Sequence, residues 1–145
     1  LPILEKRRRP ENPTAAADSI PFCVAAALVH GGVSLGTFTA EGIADAMVLA
    51  LAGRVSVRFD DAIKGATVSV TTTRGASIEA RVDNPLGSRA RPISSDHLFQ
   101  KFRDCCRRSV TPLTDAQVDR LIEWTMRLET LDDVGALAQL TCGRG

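Results

Sequence analysis

The stretch DSIPFCVAAALVHGG, from Asp18 to Gly32, decides the fold of this chain. Between Ile20 and Val29 it holds no charged or strongly polar side chain, so a helix formed here is apolar all round, as buried helices are. A bilayer span takes roughly 20 such residues, about twice what this run offers, so it is no membrane helix. Asp18 and Ser19 stand where a cap is needed, Pro21 is tolerated in a first turn, and Gly31 with Gly32 supplies the stop. Ala25, Ala26 and Ala27 carry so little bulk that a neighbouring helix or a ligand can approach the backbone closely. Two readings follow: a core helix covered on most sides, or a helix whose start helps to wall a substrate pocket.

Upstream, residues 1–17 hold three of the seven prolines and the basic run Lys6, Arg7, Arg8 and Arg9, which reads as an extended, exposed lead-in. Residues 18–145 read as a single domain. Downstream, Thr39 is placed to cap a second helix running to about Ala52 and stopped by Gly53. The period then changes to two. Val55, Val57 and Phe59 alternate with polar residues, as do Val68 and Val70, and then Ile78, Ala80 and Val82. The expectation is an α+β domain with a small antiparallel sheet: a three-stranded meander, with room for one more strand, turning near Arg74 and Gly75. Helices are expected to cover one face of it. Beyond the turn-rich, arginine-rich loop from Asn84 to Pro92, Ser94 caps a helix carrying Leu98, Phe99, Phe102, Cys105 and Cys106 at helical spacing. Thr114 and Gln117 have capping-box spacing at the start of a helix with the stripe Val118, Leu121, Ile122, Thr125 and Leu128, beside which Trp124 reads as a core anchor. A last helix is expected from about Leu131 to Thr141, with Asp132 and Asp133 at its positive end.

The bulk numbers exclude more than they select. In 145 residues, 18 Lys and Arg face 17 Asp and Glu, a net charge of +1 that gives no global field for nucleic acid. The basic run at residues 6–9 has no interleaved aromatics and reads as a solvated surface. Cys23, Cys105, Cys106 and Cys142 show no CxxC spacing, neither a disulfide framework nor a zinc signature, which suits a reducing cytoplasm. The adjacent Cys105 and Cys106 point about 100° apart on a helix and cannot serve one site together. His30 and His97 have no metal-type partner at helical spacing: His30 reads as a charge-compensating group at a helix end, His97 as solvated. No nucleophile motif, phosphate cradle or secretory signal is present in the sequence.

Several segments, in order and in register, carry a family likeness. The run DSIPFCVAAALVHGGVSLGTFT resembles the opening of the C-terminal domain of the MmgE/PrpD family, which includes 2-methylcitrate dehydratases, cis-aconitate decarboxylases and iminodisuccinate epimerases. ADAMVLALAGRVSVRFDD is similar to that family's helix leading into a strand, and ATVSVTTTRG to its strand and hairpin turn. RPISSDHLFQKFRDC resembles its Pro-Leu-Ser element, and LIEWTMRLETLDDVGALAQL its terminal pattern, so the likeness covers roughly residues 15 to 140.

The resemblance implies a lyase acting on a small di- or tricarboxylic acid, with the acid/base groups mostly in a larger helical N-terminal domain that this chain does not include. A proton next to a carboxylate is removed or moved, followed by loss of water, loss of carbon dioxide or epimerisation, with no metal or other cofactor implied. The chain is then expected to be the lid and pocket wall of a 2-methylcitrate dehydratase-like enzyme, inactive alone. In relatives, a Ser-x-x-Tyr or Ser-x-x-Phe at the domain boundary lies near substrate; here it is Ser19 and Phe22, so the aromatic hydroxyl is missing and the role of Phe22 is packing or shape. Arg89 and Arg91 are the further candidates for binding substrate carboxylates, with Arg103, Arg107 and Arg108 on the next helix as lesser ones. Expected partners are the helical domain and a polycarboxylate, with no nucleic acid and no membrane; a homodimer is compatible with this reading. The alternative is a non-catalytic interaction module that keeps the fold and uses the apolar helix for association.

Overall fold

The computed structural model describes residues 6–141, so Cys142 lies outside the described residues. The chain forms two compact units that divide between Asp61 and Ala62. Helices and one antiparallel sheet make up the described residues, in agreement with the α+β expectation.

In the first unit, the expected extended lead-in contains a helix, α1 (Pro13–Ala17). Asn12 Oδ1 accepts from the Ala15 N–H at 2.8 Å, and Pro13 at the first position loses no helical bond, so this short turn is well started despite its proline. Ala16 is fully buried, which ties the segment to the core. Part of the basic run is also committed: Arg8 Nη2 donates to the Val55 carbonyl at 3.0 Å. The decisive apolar stretch forms α2 (Ile20–His30), capped by Ser19 and ended by Gly31, whose φ of 76° is a left-handed conformation that glycine adopts without strain.

The helix expected from Thr39 to Ala52 is instead two, after a 3-10 turn at Leu35–Phe38: α3 (Ala40–Ile43) and α4 (Ala46–Ala52). Asp45 causes the break, because its carboxylate accepts from the N–H groups of Met47 and Val48 and so begins a new helix in the middle of the run. Gly42 fits the bend for a second reason: a Cβ there would collide with the Gly36 carbonyl oxygen. The core of this unit is Ala16, Phe22, Ala25, Ala26, Val48 and Ala52, with Val29, Phe38, Ile43, Leu49 and Leu51 packed against it. The small residues Ala25 and Ala26 face α4, so it is a helix that comes close to them. Coverage of α2 is one-sided, however. Ile20 is 45% and Leu28 48% exposed, so the expectation that the helix is covered on most sides does not hold for this chain by itself.

In the second unit, β1 (Ala66–Thr71) pairs antiparallel with β2 (Ser77–Val82), in the register Ala66 to Val82, Val68 to Ala80 and Val70 to Ile78. The turn falls at Arg74 and Gly75 as expected, closed by the Thr72 N–H on the Ala76 carbonyl at 2.8 Å. The third strand is absent: Val55, Val57 and Phe59 lie in irregular chain. Alternation offers a strand two faces, but a strand also needs a partner ladder, and none is present for this stretch among the described residues. Nor do helices cover one face of the sheet. Ala66, Val68, Val70, Ile78, Ala80 and Val82 share one side by register, yet Val68, Ile78 and Val82 are exposed.

Helix α5 (Ser95–Arg107) starts at Ser94, whose hydroxyl accepts the His97 N–H, and α6 (Asp115–Met126) starts with the expected Thr114 and Gln117 capping box. Ion pairs from Arg103 to Asp119 and from Arg107 to Asp115 link the two helices. Cys106, Val118 and Leu121 are buried, whereas Leu98, Phe102 and Leu128 of the expected stripes are exposed. Trp124 is half-buried with the Arg120 guanidinium 4.4 Å from its ring centre, a surface stacking arrangement more than a core anchor. The last helix, α7 (Gly135–Thr141), begins later than expected because Asp133 takes the Gly135 N–H at 2.7 Å. No helix among the described residues is long and apolar enough to cross a membrane.

Candidate functional site

The start of α2 brings Ser19 and Phe22 together, and both are fully buried. The Ser19 hydroxyl is used twice within the unit: it accepts the Phe22 N–H at 3.1 Å and donates to the Arg7 carbonyl. Of the first three helical positions, Pro21 has no N–H and that of Phe22 is taken, which leaves Ile20. A cradle of helix amides for a carboxylate at this terminus is therefore reduced to a single donor. Phe22 fills the core of the unit, the packing role of the two expected for it. Cys23, the residue after Phe22, points its Sγ at the Ala16 carbonyl at 3.5 Å, and burial, with Asp18 nearby, pushes its thiol up from the ordinary range, so it is a poor nucleophile.

Arg89 and Arg91 belong to the second unit, on a tight loop held by the Gly87 N–H on the Arg91 carbonyl and the Arg91 N–H on the Ser88 carbonyl. Both are exposed, and neither guanidinium has an ion pair or hydrogen bond among the described residues, so each keeps its full donor fork for a ligand. Arg103, Arg107 and Arg108 differ in being paired already, with Asp119, Asp115 and Asp104. On α5, Cys105 is exposed and Cys106 buried, as their angular separation predicts, and burial raises the Cys106 thiol. His97 is exposed, with Nδ1 2.9 Å from Ser94 Oγ.

The sequence did not disclose one feature of the first unit. At the far end of α2, His30 Nε2 lies 2.9 Å from Asp45 Oδ2, beside a cavity of about 390 Å³ lined by His30, Gly31, Ser34, Thr37 and Val48 among others. His30, read from the sequence as a charge-compensating group at a helix end, meets here a partner 15 residues on that only the fold supplies. Asp45 as a cap before the apolar run AMVLALA was the available signal, obscured by the competing cap at Thr39. The Asp45 carboxyl is held below the usual range, chiefly by the Val48 N–H, then by His30 and the Met47 N–H, against the burial that pushes it up. The two hydroxyls on the cavity wall are engaged with backbone: Ser34 Oγ accepts from Gly36, and Thr37 Oγ1 from Ser34. The arrangement clasps α2 to the cap of α4. Among the described residues, no three His, Cys, Asp or Glu side chains gather as metal ligands would.

These elements reproduce the order in which the sequence resembles a known family: capped apolar helix, second helix, hairpin, Ser94-capped helix. No curated protein matches the chain. A sequence model described as the MmgE/PrpD C-terminal domain matches residues 1–128, which leaves the closing pattern after Leu128 outside the match. Because that match takes in most of the 145 residues, the chain belongs to the MmgE/PrpD family, as its C-terminal domain.

Proposed function

We propose that the chain is the lid and pocket-wall domain of a cytoplasmic MmgE/PrpD-type lyase that removes water from a small di- or tricarboxylic acid, in the manner of 2-methylcitrate dehydratase. The observation that carries this reading is the amount of apolar surface left bare on elements that belong to the family pattern. The chain exposes 11063 Å². A folded monomer of 15.5 kDa exposes about 7,200 Å², and even two separate folded units of half that mass expose together about 8,700 Å². The excess includes Ile20 and Leu28 on α2, beside the buried Ser19 and Phe22, where the family resemblance puts the boundary with the helical domain.

In this reading, α2 packs its bare side on the helical domain and Phe22 sets the shape of the wall. Arg89 and Arg91 offer bidentate donors to substrate carboxylates. A histidine of the helical domain, with its pKa near operating pH, takes the proton, and closure of this domain excludes water from the cleft. The bare faces also favour a second reading, an interaction module without catalysis. Pairing the chain with a helical domain of the family and assaying 2-methylcitrate and citrate separates the two. A stable complex that dehydrates either acid, with neither part active alone, is the expected result. A stable complex without activity on these acids favours the module, and no complex overturns both the lid and its proposed partner.

A further inference from the structure

Both strands of the second unit's sheet are edges, and one of them is complementary to itself. The Thr72 N–H on the Ala76 carbonyl makes positions 72 and 76 a hydrogen-bonded pair of the hairpin. Such pairs alternate along an antiparallel ladder, so with the observed register 70 and 78, 68 and 80, and 66 and 82 also exchange their bonds. The backbone N–H and C=O groups of Ser77, Glu79 and Arg81 therefore point away from β1, along an edge on which every residue from Ser77 to Val82 is exposed.

We propose that β2 pairs antiparallel with β2 of a second copy of this chain, about a two-fold axis at Ala80. Pairing across that axis sets Glu79 opposite Arg81 of the second copy, twice by symmetry, and Ile78 opposite Val82. The outward backbone groups of 79 and 81 meet as hydrogen-bonded pairs, and Ala80 meets its counterpart at a non-hydrogen-bonded position. Charge selects this register over its neighbours. Centring the axis on Glu79 would put two carboxylates opposite each other, and centring it on Arg81 two guanidiniums, both unfavourable. The outward positions of β1, Thr67, Ser69 and Thr71, carry no charge and select nothing. In the single chain, Glu79 Oε2 accepts from Ser69 Oγ at 2.9 Å and Arg81 Nε donates to Asp83 Oδ1 at 2.8 Å; both side chains are exposed and free to add a facing partner. The product is an isologous four-stranded sheet, with the apolar residues of both copies on one side.

This inference is independent of the lid reading and has its own test: sedimentation of the chain over a range of concentrations. Glu79→Arg and Arg81→Glu each place like charges in opposition and are expected to weaken the dimer at least tenfold, and the double swap restores it. That restoration also shows that the single variants did not fail merely by unfolding. Ala80→Cys is expected to cross-link to its counterpart on mild oxidation, beyond the level of the unmodified chain, since non-hydrogen-bonded antiparallel pairs bring Cα atoms to about 4.5 Å. A monomer at all concentrations, a dimer indifferent to both charge variants, or no added cross-linking overturns the pairing.

Discussion

Asp45 shows how one side chain can set a fold and a pH response together. It ends the run begun at Thr39, starts α4 through the Val48 and Met47 N–H groups, and holds His30 at the end of α2. Its carboxyl titrates below its ordinary value of 3.8 because those partners favour the ionised form. With the folded pKa depressed, the stabilisation is fully present above the unfolded value and is lost as pH falls through the folded one. The window therefore lies below about pH 4. Asp45→Asn keeps a capping oxygen but cannot ionise, so the variant is expected to be less stable than the parent at pH 7 and to converge with it as pH falls toward 3. Urea midpoints across that range check this, and a gap that stays constant would assign the loss to something other than the charge. Sequence alone exposed the capping potential of Ser19, Ser94 and Thr114, because a cap acts over three residues. The pairing of His30 with Asp45 acts over fifteen and depends on α2 and α4 packing side by side.

Helix α2 holds two faces that its sequence cannot distinguish. Every position from Ile20 to Val29 is apolar or small, so periodicity gives no phase, and burial on most sides was a natural reading. The fold supplies the phase: Phe22, Ala25 and Ala26 are buried against α4 and Ala16, while Ile20, Ala27 and Leu28 are exposed. Ala25→Leu, which adds bulk where α4 lies close, is expected to cost about 1–3 kcal/mol. Leu28→Gln, on the bare face, is expected to change stability by less than about 0.5 kcal/mol while lowering the binding of a hydrophobic dye. Chemical denaturation of the two variants, with dye fluorescence alongside, checks both, and a large loss for Leu28→Gln would mean that face is covered within the chain. The hairpin was legible for the opposite reason: two alternating runs flank a turn of five residues, and every determinant is local. Val55 to Phe59 has the same alternation, but whether a strand forms there is decided by a neighbour, which alternation does not encode.

Across the whole molecule, the uneven burial predicts an uneven map of amide exchange. Protection requires both a hydrogen bond and a structure that opens rarely, and opening is rarest where apolar contacts are densest. In the first unit those contacts join α2 to α4, so the N–H groups of Ala25, Ala26 and Ala52 are expected to exchange slowest in the chain. The hairpin has its ladder but no covered face, so the inward N–H groups of Ile78 and Ala80 are expected to exchange faster than the helix core, and the outward ones of Glu79 and Arg81 fastest of all. Each proposed partner would leave a different mark on this map. Pairing through β2 slows Glu79 and Arg81 as chain concentration rises and leaves α2 unchanged. Docking of a helical domain on the bare side of α2 slows the α2 amides further, at fixed chain concentration, by suppressing local opening of that helix. Hydrogen exchange followed by mass spectrometry, with peptides covering residues 18–32 and 76–83, separates the two effects. Equal exchange of the hairpin and the α2 core would overturn the premise shared by both, that this chain buries one helix pair well and presents its other apolar faces to partners.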